Sequence, residues 1–220
     1  TAALLDHLGP DDSFGMVLFD QTAYLAKPPR PVAETDMASI KEHILEVRPR
    51  GGTDMSAGML MATELFEEYL GADAARFENR MIFLTDAMPN LGVTDEAGIV
   101  QIAKRNAALG IHTSFVGIGV DFNTELVEGI TKVRGANYYA VHSAEEFRRR
   151  LVDEFDFMVT PMVFDLELSV DAPGFAIRKV YGSPEADEAS GRLMRVNTLF
   201  PSAKIDGETR GGLVLLQLRR

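Results

Sequence analysis

The chain has 220 residues, 33 acidic and 22 basic, for a formal charge of −11; such a surface repels phosphate backbones and argues against nucleic-acid binding. Its 46% hydrophobic and 25% charged residues are the composition of a folded globule, and its lack of cysteine excludes disulfides, thiolate zinc sites, iron–sulfur clusters and thiol nucleophiles. No apolar run approaches the ~20 residues that span a bilayer, and the opening TAALLDHLGPDD does not read as a signal peptide.

The first two thirds alternate strand-like runs with amphipathic helical stretches, the pattern of an α/β fold. Over 33–47 the residues Met37, Ile40, Ile44 and Val47 recur at helical spacing. The breaker Pro49-Arg50-Gly51-Gly52 follows. A second helix is expected over 54–70, with Met59, Ala62, Phe66 and Tyr69 on one face and Thr53 in the N-cap position. Residues 81–84 read as a buried strand. Thr94 is expected to cap a helix carrying Ile99, Val100, Ala103 and Ala107, with Gly110 as its left-handed end. A strand over 111–118 comes next. Asn123 precedes a helix with Leu126, Ile130 and Val133, closed by Gly135, and a short strand spans 137–141. Ser143-Ala144-Glu145-Glu146 is a capping box opening a helix through Phe147, Leu151 and Phe155.

Beyond about 158 the pattern changes. Runs at 163–170, 175–181, 192–200 and 213–218 are strand-like, with Pro and Gly turns and no helix between them. The expected organisation is an α/β domain over 1–158 and a small antiparallel β annex over 159–220, too small for comfortable stability alone. The α/β part is expected to be a Rossmann-like open, mostly parallel sheet with helices on both faces.

Parallel strands point their carboxyl ends to one edge, where ligands bind. Counting helix and strand excursions brings Thr53, Asp86 and the loop holding Asp121 to that rim. A hydroxyl, one or two carboxylates and loop carbonyls are hard oxygen donors, suited to Mg²⁺, Mn²⁺ or Ca²⁺ rather than zinc.

Gly51-Gly52-Thr53-Asp54-Met55-Ser56, then Phe83-Leu84-Thr85-Asp86-Ala87-Met88-Pro89-Asn90, then Phe115-Val116-Gly117-Ile118-Gly119 resemble, in order and interval, a von Willebrand factor type A domain. The stretches 8–15 and 135–139 match that family's approaches to its second and last strands, so the resemblance covers about residues 1–158. It implies a metal-ion-dependent adhesion site, in which a D-x-S-x-S triplet, a loop threonine and a strand-end aspartate hold a divalent cation. Thr53 matches the threonine and Asp86 the aspartate; Gly52, Asp54, Met88, Pro89, Asn90 and Asp121 then form a partner-binding rim. The open coordination position is typically offered to an acidic side chain of a partner protein. No D-x-S-x-S occurs here: Asp11-Asp12-Ser13 is a near miss in the wrong place, and the strand that bears the triplet would be central in the sheet. Weak or absent metal binding is therefore expected, with exposed sheet edges that favour self-association.

Plainer roles compete with these. Thr53 is a natural helix N-cap, Asp86 an acceptor for the backbone of its own loop, and Asp54 and Ser56 are better suited to capping than to ligation. Asp121 is more often a solvated loop residue. Gly117-x-Gly119 lacks the third glycine of a dinucleotide fingerprint. The four histidines are scattered, no serine sits in G-x-S-x-G, and Arg148-Arg149-Arg150 is balanced by Glu145, Glu146, Asp153 and Glu154.

Three functions follow: a non-enzymatic protein-binding module using a cation; a structural interaction domain whose ion site is vestigial; or a Mg²⁺-dependent hydrolase acting through Asp86. A β annex after such a domain is similar to bacterial secreted or envelope proteins, which points to an extracytoplasmic location.

Overall fold

The computed structural model describes residues 2–48, 51–73, 75–86, 88–119, 124–202 and 212–220. The chain divides into two compact units, Thr1–Val159 and Thr160–Arg220. The first unit begins with a 3-10 turn, Ala2–His7, followed by β1 (Ser13–Phe19), β2 (Ala23–Pro31), α1 (Met37–Glu46) and α2 (Met55–Glu64). It continues through β3 (Asn79–Thr85), α3 (Glu96–Ala108), β4 (Ile111–Ile118), α4 (Thr124–Thr131) and β5 (Asn137–Val141). It closes with α5 (Ala144–Arg148), a π-helical turn (Arg149–Asp153) and α6 (Phe155–Val159).

β3, β4 and β5 form a parallel sheet in that order, with Thr85 opposite Gly117 and Ile118 opposite Val141. β4 is the middle strand and is buried from Ile111 through Gly117, which is why its sequence is a nearly unbroken apolar and small-residue run. Alternate side chains go to opposite faces. Met81, Phe83 and Phe115 join Met55 and Met59 of α2, Ile99 and Ala103 of α3, and Leu126 and Ile130 of α4 in one core. Ile82, Leu84 and Ile118 lean with Val116 on a second core containing Leu4, Leu151, Phe155 and Met158. Helices therefore cover both faces, and each fully buried Met, Ile or Phe contributes about 1.5–3 kcal/mol as an upper estimate.

β1 and β2 form an antiparallel hairpin of their own, and among the described residues no backbone ladder joins it to β3. Side chains make the link instead: Phe19 stacks on Phe83 at 4.8 Å between ring centroids. Gly58 lets α2 lie directly on Phe19, because a Cβ there would sit 2.8 Å from the ring.

Several helix bounds differ from the sequence reading. Asp36 caps α1 through Ser39 N–H, so that helix starts four residues after 33. α2 stops at Glu64 rather than running to 70; Thr63 Oγ1 donates to Met59 O and to Asn106 Oδ1, and a 3-10 turn, Glu67–Tyr69, follows. Asp95, not Thr94, caps α3 by accepting from Gly98 N–H at 2.8 Å. Ser143 does cap α5, accepting from Glu146 N–H. The helix beyond it widens, however, with Glu154 N–H donating to Arg149 O. Leu151, Phe155 and Met158 are all buried, as their spacing suggested. Asn123 and Asp121 lie outside the described residues.

In the second unit, β6 (Val163–Ser169) pairs antiparallel with β8 (Arg192–Leu199), and β7 (Ala176–Tyr181) with β9 (Leu215–Arg219). Among its described apolar side chains, Val180 and Leu193 are buried. The core is thin.

At the amino ends of β3 and β4 a polar cluster closes the parallel sheet. Arg80, almost wholly buried, donates to Ser114 Oγ at 2.9 Å, to Gly135 O at 3.2 Å and to Glu78 Oε1 at 2.7 Å. His112 Nδ1 lies 2.8 Å from the same carboxylate. Burial raises the Glu78 carboxyl, but the hydrogen bond to His112 and the charge of Arg80 outweigh it and hold the carboxyl below its ordinary value of 4.5. A depressed carboxyl contributes stability above its unfolded value and loses it as pH falls through the folded one. Glu78→Gln is therefore expected to cost on the order of 1 kcal/mol at neutral pH, the carboxylate being partly exposed. Urea unfolding should show the gap between variant and parent closing as pH is lowered below about 4.5. Gly58→Ala should cost about 1–3 kcal/mol in the same measurement, because the new methyl meets the root of the Phe19 side chain rather than its flexible end.

Candidate functional site

The carboxyl end of the sheet is built from the residues that open α2. A helix N-terminus carries unpaired N–H groups, and an acidic or hydroxyl side chain satisfies them. Asp54 takes that role: its Oδ1 accepts from Ala57 N–H at 2.9 Å and from Ser56 Oγ at 2.6 Å. Thr53, the N-cap expected from sequence, stands one residue outside the helix.

Its backbone is fastened to the loop that leaves β3. Asn90 N–H and Leu91 N–H both donate to Thr53 O, at 3.0 and 3.2 Å, and Thr53 N–H donates to Asn90 Oδ1 at 2.8 Å. Ser56, buried, accepts from Val93 N–H at 3.0 Å. Asp54 N–H donates to Asp20 O at 2.7 Å, which ties in the turn after β1. The Asp20 carboxylate holds that turn by accepting from Thr22 N–H and from the Tyr24 hydroxyl. The ends of β1, β3 and α2 thus meet at one rim.

Gly92 has φ of +66°, and a Cβ there would strike the Asp54 carboxylate. Only glycine suits that crossing. Gly52 is a second close approach, a Cβ on it lying 2.5 Å from Leu91 Cδ1 and 3.1 Å from Asn90 Oδ1.

The expected site residues distribute unevenly over this rim. Thr53 and Asp54 are half-buried, Asp86 and Asn90 are exposed, and Pro89 is half-buried. Met88, expected to face a partner, is half-buried and packs against the core that holds Met55, Met59 and Phe83. Leu91, not singled out in the sequence, is 39% exposed beside Asn90. Ser56 and Val93 were also missed as a fastening pair: they are 37 positions apart, and no local pattern links them.

A small divalent cation takes about six oxygens. Both Asp54 Oδ1 and Ser56 Oγ already make two hydrogen bonds within the rim. Among the described residues no group of three or more His, Cys, Asp or Glu is placed to hold a metal. The donor set does not fit a firmly held ion.

No protein-family model matches the chain. It is 27% identical over 184 residues to inter-alpha-trypsin inhibitor heavy chain H4 of Bos taurus, a match covering 80% of this chain and 19% of that protein. The chain thus spans about a fifth of the length of this curated relative. In structure it is similar to a von Willebrand factor type A protein from Catenulispora acidiphila, with a TM-score of 0.61 and 17% identity over 90% of this chain and 49% of that one. It is also similar to proximal thread matrix protein 1 of the mussel byssus, solved with zinc in its MIDAS motif; the TM-score is 0.51 and the identity 24%, covering 69% of this chain and 39% of that one. The chain has the fold of von Willebrand factor type A domains.

If the rim is held by these bonds, Ser56→Ala should cost about 1–3 kcal/mol in urea unfolding, because the Val93 N–H loses its acceptor in a partly buried setting. Asn90→Ala, at an exposed position, should cost less, but hydrogen exchange at the Thr53 amide should accelerate at least about tenfold.

Proposed function

We propose that the rim is a protein-recognition surface and that the chain acts by binding rather than by turnover. The observation that carries this reading is the pinned stretch 88–93. Its backbone is fixed at Asn90 and Leu91 by Thr53 and at Val93 by Ser56, while Asn90 and Leu91 stay exposed on it, with Asp86 exposed at the end of β3. A pre-formed polar and apolar surface of this kind loses little entropy on docking. The fold supports the same reading, since its members typically serve as protein-interaction modules.

In the full family pattern a cation at Thr53 and Asp86 captures an acidic side chain of the partner. Here those two donors are too few, so the ion site is incomplete, and contacts to a partner fall to Pro89, Asn90 and Leu91 with Gly52 and Asp54 behind them. The shortage of donors favours a second reading, an interaction domain whose ion site is vestigial. Likeness to an inter-alpha-trypsin inhibitor heavy chain supports placing the domain outside the cytoplasm.

Calorimetry separates the two readings. The 220-residue chain is expected to show no Mg²⁺ or Mn²⁺ binding tighter than about 1 mM. A longer chain bearing a D-x-S-x-S strand ahead of Thr1 is expected to bind Mn²⁺ and to lose at least about tenfold in affinity on Thr53→Val or Asp86→Ala. Equal affinity in those variants would remove both residues from the site, and failure of the longer chain to bind would leave the vestigial reading standing.

A further inference from the structure

Leucine in a surface loop ordinarily samples several rotamers, and ordering it on docking costs entropy. Leu91 is held in two ways before any partner arrives. Its backbone is fixed, because Leu91 N–H donates to Thr53 O at 3.2 Å and the next residue, Gly92, crosses the Asp54 carboxylate with φ of +66°. Its side chain is seated as well. Leu91 Cδ1 takes up the room beside Gly52, where a Cβ on residue 52 would lie 2.5 Å from it. Gly52 has no positive φ, so its backbone does not call for glycine; what glycine supplies there is space for Leu91.

The seated side chain is still 39% exposed. Exposed Asn90 adjoins it in sequence, and half-buried Thr53 is bonded to its backbone. An ordered apolar side chain among polar neighbours is the arrangement of an interface anchor, whose polar surround excludes water once the anchor is covered.

We infer that Leu91 is the anchor of the recognition surface, received by an apolar pocket of aliphatic or aromatic side chains on the partner, and that Gly52 is a positioning residue that sets where the Leu91 side chain points. The inference rests on the recognition reading above and not on a cation, since no metal ligand enters it. Alanine at 52 meets the far end of a flexible side chain, so the chain keeps its fold while Leu91 swings off its seat.

Peptides selected on the 220-residue chain from a random library displayed on phage serve as probes, and hydrogen exchange locates where each one binds. They are expected to slow exchange within 88–93. Leu91→Ala is expected to weaken their binding at least about tenfold, whereas Leu60→Ala, at a 45% exposed position on α2, changes it less than about twofold. Gly52→Ala is expected to weaken binding at least about fivefold in the parent chain and less than about twofold in a Leu91→Ala background, because its effect passes through Leu91. A peptide that protects 88–93 yet binds Leu91→Ala as tightly as the parent overturns the inference and leaves the recognition reading standing. Protection that never falls within 88–93 removes both. Equal weakening by Gly52→Ala in the two backgrounds overturns the positioning role, since the new methyl would then act through Asn90 Oδ1, 3.1 Å from it, and not through Leu91.

Discussion

The corner at Thr53 and Asp54 is the constraint on which the rest of the first unit depends. Within two residues it uses the unpaired polar groups at the start of α2 to fasten three things: the turn after β1 through Asp20, the loop after β3 through Asn90 and Leu91, and the helix itself through Asp54. Buried Ser56 adds a fourth attachment at Val93. Because Gly92 passes over the Asp54 carboxylate with a positive φ, the loop has one course open to it. The rim is thereby shaped by backbone hydrogen bonds and does not wait on a ligand for its geometry.

That distinction reconciles the likeness to cation-dependent domains with the donor count. The corner at Thr53 and Asp54 makes its hydrogen bonds within the chain, whereas among the described residues no group of three or more His, Cys, Asp or Glu is placed to hold a metal. Shape and ligation are separable here. A surface with a formal charge of −11 gains from any cation that neutralises it, but two side-chain oxygens compete poorly with water for a hard ion.

Much of this was legible in the sequence. β3, β4 and the strands of the second unit fall within two or three residues of their expected ranges, because apolar runs between turn residues leave little freedom. Gly110 ends α3 with φ of +79°, as its position suggested. The β1–β2 hairpin was not legible: its turn, Asp20-Gln21-Thr22, has no glycine and is held by a side chain, and prolines crowd the second strand. The choice of cap between Thr53 and Asp54 was undecidable from spacing. Tertiary bonds to Asn90 settle it by drawing the Thr53 backbone out to the β3 loop. Likewise the bond from Thr63 of α2 to Asn106 of α3, 43 positions away, is one that local propensity does not encode. At the site the motif residues could be named in advance, but the residues that hold them could not.

The polar cluster of Glu78, Arg80 and His112 sits at the amino ends of the same strands whose carboxyl ends carry the rim. The sheet is thus tied at both of its ends, by this cluster at one and by the Thr53-Asp54 corner at the other. Leu91 holds the corner through its backbone N–H alone, so its exposed side chain can change toward new targets while that bond stays in place.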